Sequence, residues 1–111
     1  MNLLDEYIVT NKRCRAYGQK VWMIKLPDEK DVGVFITSMH NIMRLKMSSV
    51  ALSRPCYTEG QIVTDGNNVC SVGGVHWYGR NYVCKFINGC YAGINVGRYP
   101  WEITPVKAEI V

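Results

Sequence analysis

Ser38-Met39-His40-Asn41-Ile42-Met43-Arg44-Leu45-Lys46-Met47-Ser48-Ser49-Val50-Ala51 is the stretch on which the fold class turns. Ser38 reads as an N-cap, its hydroxyl placed to accept a free backbone N–H at a helix start. Behind it, Met39, Ile42, Met43, Met47 and Val50 recur at helical spacing, which predicts a helix from Met39 to about Ala51. Asn41, Arg44 and Ser48 fall opposite, His40 sits at the border, and Lys46 intrudes on the apolar side. Arg54-Pro55 marks the end, because the residue before proline is pushed out of helical geometry. The methionine-rich stripe is then the face that packs on a sheet.

Upstream, Val21 to Leu26 and Val32 to Thr37 are β-rich runs around Pro27-Asp28-Glu29-Lys30-Asp31, a hairpin pattern. Pairing Leu26 with Val32 collects Trp22, Ile24, Leu26, Val32, Val34 and Ile36 on one face, the expected core side. Met1 to Thr10 fits either a short helix or a strand. Downstream the chain is turn-punctuated β: Gln61 to Thr64, Val69 to Val72, Val75 to Tyr78, Tyr82 to Ile87, Cys90 to Val96 and Trp101 to Val106. Gly73-Gly74 reads as a turn, and Asn88-Gly89 as a two-residue type I′ hairpin. That hairpin places Tyr82 opposite Asn95 and Lys85 opposite Ala92. Val83, Lys85, Ile87, Cys90, Ala92 and Ile94 then share a face that reads as core apart from Lys85, and Tyr82, Cys84, Phe86 and Tyr91 share the other.

The expected class is α+β: an N-terminal β-hairpin and one central helix packed on a small antiparallel sheet, or an SH3-like or OB-like barrel, in the C-terminal half. A chain of 111 residues is one domain, with possible sub-units 1–54 and 55–111, and no sequence repeat is visible. At 48% hydrophobic and 20% charged residues it is neither disordered nor fibrous. No apolar run is long enough to span a bilayer, and the acids of Asp5-Glu6 stand where a signal peptide needs a basic region. The expectation is a cytoplasmic protein. Five cysteines, an odd number, are expected as reduced thiols without disulfides.

Thirteen Lys and Arg against nine Asp and Glu give a net charge of +4, unevenly distributed. No acid lies between Asp65 and Glu102, and none among Lys12, Arg13, Arg15, Lys20 and Lys25. Trp77, Tyr78, Tyr82, Phe86, Tyr91, Tyr99 and Trp101 share the first of these regions, whose only charges are Arg80, Lys85 and Arg98. Rings threaded with cations are how single-stranded nucleic acids are held. The expected site therefore uses Trp77, Tyr78, Tyr82, Phe86 and Tyr91 for stacking and Arg80, Lys85 and Arg98 for charge. The competing reading puts the same rings in the core.

Catalytic patterns are weak. Cys70, His76, Cys84 and Cys90 lack the tight ligand pairs of a structural zinc site, and no metal or other cofactor is expected. No phosphate-binding loop motif occurs. His40 and His76 stand in no nucleophile signature. The functional expectation is a small non-catalytic binding module with nucleic acid as ligand. A protein-interaction module, such as an adaptor or inhibitor, is the alternative, and a Cys/His enzyme comes third.

Overall fold

The protein is described by a computed structural model covering residues 1–76 and 78–106, so the expectation for Trp77 lies outside the described residues. Two units emerge, Met1–Cys56 and a second beginning at Tyr57. Among the described residues there is no α-helix, and therefore none long and apolar enough to cross a membrane. The α+β class with a central helix is corrected: the described residues form ten strands in two antiparallel sheets.

The stretch expected as helix folds as a tight turn, a strand, a 3-10 turn and another strand. Thr37, not Ser38, supplies the decisive hydroxyl. Its Oγ1 accepts the backbone N–H of Met39 (3.3 Å) and Asn41 (3.1 Å), while its own N–H donates to the Asn41 carbonyl at 2.9 Å. His40 turns the corner at φ +65°. Beyond it, strand β4 (Ile42–Lys46) half-buries Met43 and Leu45 and exposes Ile42, Arg44 and Lys46. Lys46, anomalous on a helix, falls into place when the period is two.

The first sheet adds β1 (Glu6–Val9), β2 (Lys20–Lys25), β3 (Val32–Ile36) and β5 (Val50–Arg54), in the order β4-β3-β2-β1-β5. The β2–β3 pairing begins as expected, Trp22 with Ile36 and Met23 with Phe35, then a bulge sets Lys25 opposite Val34. The core side is corrected. Val21, Met23 and Phe35 meet Tyr7, Val9, Ala16 and Val50 in the buried cluster, with Met43, Leu45 and Met47 against it. That face wins because the neighbouring strands add apolar residues to it, Tyr7 opposite Val21 and Met43 opposite Phe35. Of the expected face, Trp22 and Ile36 are buried as well, but Leu26 is 50% exposed.

The second sheet comprises β6 (Ile62–Thr64), β7 (Val69–Val75), β8 (Tyr82–Phe86), β9 (Asn95–Arg98) and β10 (Thr104–Pro105), ordered β10-β6-β7-β8-β9. Gly73-Gly74 is a bulge inside β7 rather than a turn between strands, with Val72 opposite Cys84 and Val75 opposite Tyr82. A Cβ at Gly73 would stand 3.3 Å from the Val83 carbonyl, and Gly74 has φ +111°. Asn88-Gly89 does not close a two-residue hairpin. Asn88 stays out of the left-handed region that a type I′ turn demands, and its Oδ1 accepts the Val69 N–H instead. The connection runs over residues 87–94 and moves the register by three, so that Tyr82 faces Arg98 and Lys85 faces Asn95.

Both units follow one plan: a four-strand antiparallel meander, a 3-10 turn (Met47–Ser49 or Pro100–Glu102), and a fifth strand that returns to pair with the first. The repeat is one of topology. Each sheet keeps two edge strands.

Candidate functional site

The strand expected to present the rings, β8, turns them inward. Tyr82 is 1% exposed, with its hydroxyl oxygen accepting the Tyr57 backbone N–H at 2.9 Å and its ring 5.3 Å from that of Tyr57. Phe86 and Cys84 are buried on the same face, while Lys85 points to solvent on the other. The expected core residues Ile87, Cys90, Ala92 and Ile94 are exposed in the 87–94 connection.

Arg98 is taken up internally. Its guanidinium meets Asp65 through Nη2 at 3.1 Å and Nε at 3.3 Å, donates from Nη1 to the Gly97 carbonyl, and lies 5.6 Å from the Phe86 ring centre. Asp65 also accepts the N–H groups of Asn68 and Asn67. Those two amides first, and Arg98 after them, hold its carboxyl below the usual range against a modest opposing effect of burial. A carboxylate whose pKa is depressed by folding stabilises above its unfolded pKa and loses that contribution as pH falls through the folded value. Asp65→Asn should therefore flatten the acid-side loss of stability from about pH 4 downward. Hydrogen exchange along β8 and β9 against pH measures this in the second unit. The local readout matters because Asp28, in the first unit, is shifted the same way by the Val32 and Lys30 amides. An unchanged pH profile would remove Asp65 as its source.

Four of the expected site residues are solvent-accessible: Tyr78 (45% exposed), Arg80, Lys85 and Tyr91 (56% exposed). They do not form one patch. Tyr78, its ring 4.0 Å from His76, and Arg80 occupy the connection before β8, and Tyr91 the connection after it. A strand of five residues separates them, roughly 17 Å at about 3.4 Å per residue. Tyr99 and Trp101, half-buried, stack 4.8 Å apart with 2° between their planes.

The thiols are all free. Burial raises Cys84 to about 11 and also raises Cys70, while burial and the Asp5 charge raise Cys56. None of these three is an activated nucleophile at neutral pH. Among the described residues no group of three or more His, Cys, Asp or Glu side chains gathers as a metal-ligand set.

Charge usage is the most informative feature. Several carboxylates work inside the fold, while Glu29, Asp31 and Glu59 are exposed. Asp5 accepts the Asn2 and Cys56 N–H groups, Glu6 the Ser53 hydroxyl, and Glu102 the Tyr99 N–H. Asp28 caps its own turn and lies 3.7 Å from Arg44, across a groove of about 270 Å³ lined also by Lys25, Leu26, Val32 and Val34. Lys12, Arg13, Arg15 and Lys20 are exposed, and among the described residues no carboxylate lies within ion-pair distance of them. The acid-free run is legible in the sequence, but its outward display follows from the burial of Ala16 and the packing of Cys14, which charge pattern alone does not reveal. No family model matches the chain, and no curated protein matches it significantly.

Proposed function

We propose that the protein is a small binding module without catalytic chemistry of its own, and that its ligand is nucleic acid held chiefly through phosphates. The observation that carries this reading is the asymmetry of charge usage. Asp5, Glu6, Asp65 and Glu102 are engaged as acceptors for backbone and side-chain donors, and Lys12, Arg13, Arg15 and Lys20 are left facing water on the segment that exposes Tyr17. Such a surface attracts a polyanion and offers it rings. A cytoplasmic setting belongs to the same proposal and is supported by the free thiols.

The test is fluorescence anisotropy of labelled single- and double-stranded oligomers titrated with the protein across a salt series. Three phosphate contacts on a single strand give a log–log salt slope of about −2, a loss of roughly tenfold or more in affinity between 50 and 200 mM salt. Absence of binding at low salt would overturn the reading.

A second reading, a protein partner added strand-to-strand, has its own support. Edge strand β5 carries Leu52, 56% exposed, and edge strand β4 carries Ile42, 49% exposed. Binding of that kind responds weakly to salt, so the same titration style separates the two.

A further inference from the structure

We propose that the connection between β1 and β2, residues 10–19, together with Lys20, is the phosphate-binding surface of this protein and takes the backbone of a single-stranded nucleic acid. This rests on the nucleic-acid reading above and adds where the strand sits.

The connection is long and charged, yet it is tied down from several directions. At its base the Val9 N–H donates to the Gln19 carbonyl and the Gly18 N–H returns to the Val9 carbonyl. Thr10 and Asn11 both donate backbone N–H groups to the Ser49 carbonyl, at 2.9 and 3.3 Å, and the Asn11 amide reaches the Ser49 hydroxyl at 3.2 Å. Asn11 Oδ1 accepts the Arg13 N–H, and its carbonyl accepts the Cys14 N–H. Ala16 is buried in the core cluster and Cys14 packs against it. With Asn11 half-buried and Cys14 and Ala16 turned inward, Lys12, Arg13, Arg15 and Tyr17 are directed outward, and Tyr17 is 51% exposed. Backbone order of this kind lowers the entropy cost of presenting several cations at once.

The second unit provides an internal comparison. Its topologically equivalent connection, residues 65–68, is a short turn whose acid, Asp65, neutralises Arg98. On the same strand plan, the first unit spends residues 10–19 and places no acid among them. The fold does not require that length, and a loop elaborated on a rigid scaffold is where binding functions accumulate. Cations alone would suit any polyanion. Tyr17 among them selects the single strand, because an unpaired base can stack on an exposed ring whereas a duplex hides its base faces.

The experiment measures binding of a labelled single-stranded DNA oligomer and its duplex by wild-type protein and three variants. These are Lys12→Glu/Arg13→Glu/Arg15→Glu, Arg80→Glu/Lys85→Glu and Tyr17→Ala, with thermal melting to confirm that each stays folded. The triple variant should lose roughly 30-fold or more at low salt and flatten the salt slope by about 2, at about 0.7 per lost phosphate contact. The double variant should change affinity less than about threefold. Tyr17→Ala should lose about fivefold or more on the single strand and nothing on the duplex. Should the triple variant fail to fold, Lys12→Gln/Arg13→Gln/Arg15→Gln takes its place and should flatten the slope equally. Wild-type protein that binds no oligomer overturns the function and this site together. Binding lost in the double variant but kept in the triple overturns this site alone. An inert Tyr17→Ala with equal affinity for duplex overturns the single-strand assignment.

Discussion

Tyr82→Ala should unfold the second unit or leave it marginal, the largest loss expected from any single change there. The ring is 1% exposed, on a strand paired on both sides. Removing a buried aromatic ring costs about 3–5 kcal/mol through lost transfer energy and the cavity left behind. The hydroxyl adds to this. It is the acceptor for the Tyr57 N–H, and a buried amide stripped of its partner costs about 1–3 kcal/mol. Against a total stability of about 5–15 kcal/mol for a typical domain, the sum is close to everything a small unit has. Tyr82→Phe isolates the second contribution and should shift the urea midpoint by the smaller amount only. Tyr91→Ala, at a ring 56% exposed, should stay within about 0.5 kcal/mol of wild type. Urea unfolding with hydrogen exchange on β8 measures all three. A Tyr82→Ala protein as stable as Tyr91→Ala would mean that the ring lies on the surface.

That contrast marks where the sequence stopped being legible. The β-rich runs announced most strands, since Val and Ile runs bounded by Gly, Pro and Asn suit a pleated surface. At 42–46 the sequence carries both a helical period and a strand period. Met43 and Leu45 alternate with Arg44 and Lys46, and that period-two signal was as visible as the helical one. What tipped the balance is tertiary: β3 offers Phe35 and Gly33 as partners for Met43 and Leu45. At Asn88-Gly89 the local turn preference lost to a hydrogen bond from β7, and a register shift of three reverses which residues of the partner strand share a face with Tyr82. The acid-free runs were legible as charge. Whether a cation is free was not, because Arg98 is neutralised by Asp65, 33 positions away. Among the described residues no carboxylate lies within ion-pair distance of Lys12, Arg13 and Arg15, the three cations of the proposed phosphate-binding loop.

Phe35→Ala should be the matching lesion in the first unit, costing about 3–5 kcal/mol, and it tests the reversal of the core face. Phe35 is fully buried, its ring edge-on to Tyr7 at 5.5 Å and 82°, with Met23 and Met43 opposite it on the flanking strands. Gly33 is shaped around it, since a Cβ there would stand 3.1 Å from the Phe35 ring. Val34→Ala changes the adjacent residue, which lines the open groove on the opposite face, and should cost about 1 kcal/mol or less. Had the expected face been the core, the order of the two would invert, so a pair of urea curves distinguishes the alternatives. The consequence reaches the proposed phosphate-binding surface. Ala16 belongs to the same buried cluster as Phe35, so the anchor of residues 10–19 depends on that ring. Nucleic-acid affinity of Phe35→Ala should therefore fall with the fraction of first unit unfolded, whereas Val34→Ala should bind as wild type does. Binding that survives once the first unit has melted would mean that the cations act as an unstructured basic segment rather than as a surface held by the sheet.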